Sequence, residues 1–303
     1  DAKTYLRGMV TMSNIIEIKN LSKNYKGFSL NNINLSLESG YIMGFIGPNG
    51  AGKSTTIKLL MNLIQKDSGS IKIFGLDNVA HNISIKERIG FVYDENHFYE
   101  DLTVSEMAKI IRPFYSRWDE PLFQQYVKQF DLPLKKKIKV LSKGMKMKFS
   151  LAIALSHHAE LLIMDEPTSG LDPLIRRELL DILQSVMNDE NKAVFFSTHI
   201  TSDLDKIADY ITLINEGEIV FCKTKDELLE EYCLVKGKKA LLPHIDSAQF
   251  IGVHEHEYGF EALASDRNAV MKRFGDDIII EKPTLEDIMV FFTRKENDHV
   301  PSY

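Results

Sequence analysis

The sequence predicts an α/β domain built on parallel strands, with a helical insertion inside it and a small α+β unit after it. From Asn14 to Tyr232, short apolar runs of strand length alternate with helical stretches, the order expected when crossover helices join strands. Between about Asn96 and Val140 the strand-like runs stop, and apolar residues recur at helical spacing. After Tyr232 the texture changes again, over a length that suits a small appended domain.

Along the chain, Asp1 to Thr11 reads as an added extension outside the fold, because Met12-Ser13-Asn14 looks like a native start directly before the apolar run Ile15-Ile16-Glu17-Ile18. Strands are expected at Ile15 to Ile18, Tyr41 to Ile46, Ile71 to Phe74, Gly90 to Tyr93, Leu161 to Met164, Val194 to Ser197 and Tyr210 to Ile214. Asp67-Ser68-Gly69 and Glu216-Gly217 mark turns. In the insertion, Thr103 and Glu106 form a capping box ahead of Met107, Ile110, Ile111 and Phe114, a stripe at helical spacing. Beyond Tyr232, Phe250 to His254 and Asp277 to Ile280 are strand-like, with helices near Arg267 to Arg273 and Thr284 to Thr293. The expected division is 1–11, 12–232 with the helical insertion over about 96–155, and 233–303 as a C-terminal accessory or regulatory domain.

Composition narrows the function. The chain has 303 residues, 44% hydrophobic and 26% charged, enough to bury a sizeable core. A net charge of -6 without a lysine-rich tail gives no basic field to hold nucleic acid, so none is expected as a partner. A bilayer span needs about 20 mostly apolar residues, and runs such as Phe149 to Leu155 fall far short. Two cysteines, Cys222 and Cys233, lack zinc-site spacing and fit a reducing, cytoplasmic setting.

Gly47-Pro48-Asn49-Gly50-Ala51-Gly52-Lys53-Ser54-Thr55 follows a strand ending at Ile46 and precedes a helix with Ile57, Leu60, Met61 and Ile64 on one side. That context makes it a phosphate loop. Glycines let successive backbone N–H groups wrap an anion at a helix N-terminus, Lys53 reaches the β- and γ-phosphates, and the Ser54 hydroxyl suits Mg²⁺. Leu161-Leu162-Ile163-Met164-Asp165-Glu166 is an apolar strand ending in two carboxylates, costly unless a cation or polarised water uses them. Asp165 suits the metal shell and Glu166 the attacking water.

Leu141-Ser142-Lys143-Gly144-Met145, then Asp165-Glu166-Pro167-Thr168-Ser169-Gly170-Leu171-Asp172, then Ser197-Thr198-His199 complete an ordered set. This order resembles the ATP-binding cassette (ABC) ATPases, P-loop NTPases with a helical insertion, from Met12 to about Tyr232. The resemblance implies a head-to-tail dimer, homodimeric or heterodimeric, with ATP and Mg²⁺ held between the phosphate loop of one subunit and the signature of the other. It implies that Ser142 and Gly144 contact the γ-phosphate across the dimer, that Asp172 reaches the opposite site, and that His199 holds the γ-phosphate and orients water. Tyr25 corresponds to the aromatic that stacks on adenine, with Phe28 as the fallback.

The pattern departs from the family in places. Asp94 and Glu95 stand where a glutamine usually follows the strand Gly90 to Tyr93; a carboxylate can still support the metal but cannot donate as an amide does. Lys143 and Met145 replace the usual glycine and glutamine of the signature. Outside these motifs, Lys135-Lys136-Lys137-Ile138-Lys139 reads as a solvated loop, with anionic lipid or a membrane partner as the alternative. Trp118 reads as core, His157-His158 as a surface turn, and His254 with His256 as one strand face lacking a third metal ligand.

One cassette without a coiled-coil insertion resembles a transporter subunit more than the soluble classes that act on ribosomes or DNA. The signature and the ending Glu281-Lys282-Pro283-Thr284-Leu285-Glu286-Asp287-Ile288-Met289 are similar to bacterial drug and peptide exporters, of the bacitracin-resistance-like and antimicrobial or phenol-soluble modulin peptide kinds. This resemblance implies separate integral membrane permease subunits and a peripheral position on the cytoplasmic face of the cell membrane. Their contact surface is expected around Asp94 to Tyr115.

Overall fold

The computed structural model describes residues 14–93, 97–245 and 249–293. Its centre is a six-stranded sheet in the order β10-β9-β3-β8-β7-β6. The strands are β3 (Ile42–Ile46), β6 (Ile89–Val92), β7 (Leu161–Asp165), β8 (Ala193–Thr198), β9 (Tyr210–Asn215) and β10 (Glu218–Thr224). All pairings are parallel except β10 with β9.

Both faces of this sheet are covered, which is why β3, β7 and β8 are near-continuous apolar runs rather than alternating ones. Met43, Phe45, Ile163 and Phe195 point into a core shared with helix α1 (Lys53–Leu60) and an antiparallel sheet. That sheet has the order β2-β1-β4-β5, from β1 (Asn14–Tyr25), β2 (Phe28–Glu38), β4 (Ser68–Ile73) and β5 (Leu76–Asp77). A short helix, α2 (Asn82–Lys86), leads into β6. On the other face, Ile42, Ile46, Leu162, Met164, Val194 and Phe196 meet the helices of the insertion and those that follow it.

The insertion contains α3 (Val104–Ile111), α4 (Glu120–Gln129) and α5 (Lys143–Ser156). The Thr103–Glu106 capping box starts α3 as expected. The apolar stripe after it behaves differently: Met107 is buried, but Ile110 is 43% and Phe114 72% exposed. Helical spacing marks one face without fixing what covers it. Trp118 packs at 5.1 Å from Phe123 and donates Nε1–H to Glu120 at 3.0 Å.

The His157-His158 pair corrects the expectation of a surface turn. His158 does turn the chain, at φ +57°. His157 instead caps the C-terminus of α5, only 1% exposed, with its ring stacked on Tyr115 at 3.8 Å. Burial lowers its pKa to about 4. Beside it, Glu160 binds both Arg88 and Arg117 at 2.6 Å, tying the insertion to the strand layer.

After α6 (Pro173–Val186), α7 (Thr201–Ile207) and α8 (Lys225–Glu231), a third sheet has the order β12-β13-β11-β14. It adds β11 (Cys233–Gly237) and β13 (Gly259–Ala264) to the expected β12 (Phe250–His256) and β14 (Ile278–Glu281). Helix α9 (Arg267–Phe274) places Val270 and Phe274 on one face with Val235, Phe260 and Ala262. Helix α10 (Leu285–Thr293) buries Leu285 and Ile288 in the core that also holds Leu204 and Ile207 of α7, and Phe292 meets Phe221 and Tyr232 edge-on. Among the described residues no helix is long and apolar enough to cross a membrane, and no group of three or more His, Cys, Asp or Glu is gathered as a metal site would need.

Candidate functional site

Strand order places the site. β3, β8 and β7 are parallel neighbours, so the loops leaving their C-terminal ends open side by side. This is where open parallel sheets bind ligands. The phosphate loop leaves β3, Asp165 ends β7 with Glu166 next, and His199 follows β8. Register aligns them, with Ile46 opposite Thr198 and Asp165 opposite Ser197.

The phosphate loop wraps tightly before α1. Gly52 caps the helix at φ +118°, and a side chain there would meet Leu30 Cδ2 at 2.5 Å. Only glycine satisfies both conditions. Gly50, at φ +83°, supplies the other turn, while Ala51 is anchored through Ala51 N to Pro48 O at 3.2 Å and Gly217 N to Ala51 O at 3.0 Å. Gly47 and Lys53 are buried, Pro48 and Thr55 partly so, and Asn49 and Ser54 are exposed. No acidic residue lies in the first turn of α1, so the positive end of the helix is free of a competing carboxylate.

Three side chains converge on this loop. The Lys53 ammonium donates to the carbonyls of Gly47 at 2.8 Å and Pro48 at 3.3 Å, and lies 3.5 Å from Glu166 Oε1. Glu166 Oε2 sits 2.7 Å from His199 Nδ1 and accepts the His199 backbone N–H at 3.2 Å. A carboxylate can only accept, so the imidazole proton belongs on Nδ1. Glu166 holds this position at φ +48°, a region that non-glycine residues seldom adopt, and such strain concentrates at functional sites.

Asp165 lies behind them. Burial pushes its carboxyl above the usual carboxylate range, opposed by the Ser54 hydroxyl and the Lys53 ammonium. Its Oδ1 is buried with no hydrogen-bond partner among the described residues. A stripped carboxylate oxygen beside a serine hydroxyl is a hard-oxygen donor set of the kind Mg²⁺ takes, so these residues fit that ion. Tyr93, directly after β6, has its phenol pKa raised by burial and by the charge of Asp165. Asp94 itself lies outside the described residues.

The ABC transporter family profile matches residues 30–169. The bacitracin transport ATP-binding protein BcrA of Bacillus licheniformis is 34% identical over 257 residues, covering 81% of this chain and 82% of that protein. The chain belongs to the ABC transporter family. The lantibiotic transport ATP-binding protein SrtF of Streptococcus pyogenes is 36% identical, over 72% of this chain and 95% of that one. A solved ATP-binding subunit of an ABC transporter superposes with a TM-score of 0.65 at 27% identity, covering 71% of this chain and 91% of the other. CbiO1 of Clostridium perfringens, at 24% identity and TM-score 0.63, shares the fold. This is an ABC ATPase, of the family that hydrolyses ATP to power transport.

The remaining expected residues of the ABC ATPase stand apart from this convergence. Tyr25 is 46% exposed at the end of the β1–β2 hairpin, opposite Phe28, with Lys23 Nζ 5.5 Å from its ring centre. Phe28 lies nearer the loop, its Cζ 3.2 Å from where a Gly52 side chain would begin. Ser142 caps α5 by accepting from Met145 N at 3.2 Å. Gly144 is buried, and a Cβ there would sit 2.7 Å from Ile175 Cγ2. Asp172 caps α6 by accepting from Leu174 N and Ile175 N, each at 3.1 Å. Among the described residues, none of these three hydrogen-bonds to the phosphate loop, Asp165, Glu166 or His199 of the same chain.

Sequence reasoning missed two residues next to the site, Arg176 and Asp203, which pair across α6 and α7. A signal existed: each stands four residues after a singled-out residue, Asp172 and His199, one helical turn into the helix that follows it.

Proposed function

We propose that this ABC ATPase powers an exporter of antimicrobial or cytolytic peptides or drugs, acting through separate membrane permease subunits at the cytoplasmic face of the membrane. The convergence of Lys53, Glu166 and His199 at the ends of adjacent strands carries the enzymatic part. The names of the bacitracin and lantibiotic transport relatives support the cargo class. The lack of a membrane-crossing helix among the described residues supports borrowed membrane subunits. The exposed Tyr99, Ile110 and Phe114, within the stretch expected to meet those subunits, support a docking surface there.

In this reading the backbone amides from Gly47 to Thr55 and the Lys53 ammonium bind the ATP phosphates. Ser54 and Asp165 would hold Mg²⁺, with Asp94 as a further contact, and a bound ion would supply positive charge to offset that of the phosphates. Glu166 takes a proton from the attacking water, and His199 keeps that carboxylate aimed at the γ-phosphate. Tyr25 stacks on the base. Ser142 and Gly144 close on the γ-phosphate from the other subunit of a homodimer or heterodimer, and Asp172 reaches the opposite site. ATP drives the cycle because it binds the closed dimer more tightly than the open one.

Glu166→Gln tests the assignment. Turnover should fall by about 10²- to 10⁴-fold, while the variant retains ATP in a trapped dimer. Unchanged turnover with no trapped ATP would show that Glu166 is not the base. Co-purification from detergent-solubilised membranes tests the rest: a permease partner is expected, and a chain recovered only with ribosomes or DNA would overturn the exporter reading.

A further inference from the structure

Asp203 is the third residue of α7 and is fully buried, yet it carries a carboxylate. Its Oδ1 accepts from Arg176 Nε in a short contact, and its Oδ2 has no partner among the described residues. The same guanidinium donates Nη2–H to Ser202 Oγ at 2.9 Å. One arginine on α6 therefore clamps two consecutive residues in the first turn of α7.

Stability alone does not explain this pair. A buried ion pair recovers its desolvation cost only with excellent geometry and full hydrogen bonding, and replacing it with well-packed apolar residues is often neutral or stabilising. Here one carboxylate oxygen finds no partner among the described residues. What the pair supplies is position. Asp203 N–H bonds Ile200 O at 3.2 Å, and Ile200 directly follows His199, so the clamped turn sets the loop whose backbone N–H and ring both meet Glu166. At the other end, Arg176 N–H bonds Asp172 O at 2.9 Å, in the turn that Asp172 caps. The clamp joins the Asp172 loop to the His199 loop.

We infer that Arg176 and Asp203 are positioning residues for ATP hydrolysis, fixing the His199 loop against Glu166 and locking it to the loop that carries Asp172. Neither touches the reacting atoms. The inference rests on the reading of Glu166 and His199 given above.

The deciding variant is Arg176→Met with Asp203→Leu in the full-length chain, which removes both charges and leaves none buried alone. It should unfold within a few degrees of the parent and bind ATP within about twofold, yet show kcat reduced at least tenfold with KM nearly unchanged. A kcat within twofold of the parent overturns the inference, as does a loss confined to KM. If the double variant fails to fold, Arg176→Lys decides. It keeps the charge on Asp203 but lacks the fork that also holds Ser202, so kcat should fall at least threefold at constant KM, and an unchanged kcat is the overturning result. Glu166→Gln runs in parallel: turnover that survives it refutes the underlying site reading, whereas its loss beside a fully active double variant refutes only the clamp.

Discussion

Replacing His199 with alanine tests how much of the chemistry depends on aiming Glu166. The ring gives the carboxylate one charge-assisted hydrogen bond at 2.7 Å, while the backbone N–H of the same residue, at 3.2 Å, survives the substitution. A hydrogen bond to a charged group contributes about 1.5–3 kcal/mol. Spent wholly on holding Glu166 in its reactive position, that is about 10- to 150-fold in kcat, at about 1.4 kcal/mol per decade. KM should change less than about threefold, because in the proposed mechanism the phosphate loop and Lys53 carry nucleotide binding and the ring acts on Glu166. Steady-state phosphate release by the full-length chain, from limiting to saturating ATP, separates the two constants. A kcat within twofold of the parent would refute the reasoning, and so would a defect in KM alone.

Gly144→Ala places a Cβ 2.7 Å from Ile175 Cγ2, an overpacking expected to cost about 1–3 kcal/mol by denaturant titration; adding Ile175→Ala should recover most of it. His157, with a folded pKa of about 4 against 6.5 unfolded, makes stability fall as pH drops from about 6.5 to 4, because the unfolded chain takes up the proton first. The loss amounts to about 3 kcal/mol, and His157→Phe, which keeps the stack on Tyr115, should flatten urea midpoints across that window. Glu160 acts at lower pH: its carboxyl is held below the usual range chiefly by Arg88, so its contribution is complete above about pH 4.5 and disappears as pH falls through the lowered value. Glu160→Gln should remove that acid-side slope. Ile288→Ala empties a site that is 1% exposed in the core shared with α7 and should cost about 2–5 kcal/mol; calorimetry should show it lowering the main transition and leaving no separate minor one.

Much of the fold was legible because the strands around the site are buried on both faces, which writes them as unbroken apolar runs such as Leu161 to Met164 and Val194 to Ser197. Strands with irregular or mild patterns escaped notice. In β2 the alternation holds only over Ile33, Leu35 and Leu37, and the register shifts between Leu30 and Ile33, around Asn32 at φ +49°. β13 reads Gly-Phe-Glu-Ala-Leu-Ala, whose alanines favour helix, and only the sheet partners β11 and β12 make it a strand. His157 escaped for a different reason: its burial is supplied by Tyr115, more than 40 residues away in the chain, and no local signal encodes that stack.

The candidate site divides along the same line between local and non-local chemistry. The phosphate loop is legible because every requirement is met by neighbours in sequence: glycines for the turns, a lysine, and the helix that begins with it. Asp165 and Glu166 are legible as two acids ending an apolar strand, but their different situations are not. Asp165 has an orphaned oxygen and Glu166 has Lys53 and His199, and these depend on strand order. Ser142, Gly144 and Asp172 show the converse. Each has a structural reason within its own chain to be where it is: Ser142 and Asp172 locally, as helix caps, and Gly144 non-locally, because a Cβ there would crowd Ile175. Among the described residues none of the three hydrogen-bonds to the phosphate loop, Asp165, Glu166 or His199 of its own chain, so the proposed roles of Ser142 and Gly144 on the γ-phosphate and of Asp172 at the opposite site call for a second subunit. Mixing Ser142→Ala chains with Lys53→Ala chains separates the possibilities: in a dimer that shares sites, one mutant subunit of each kind leaves one composite site intact and restores turnover that neither variant shows alone.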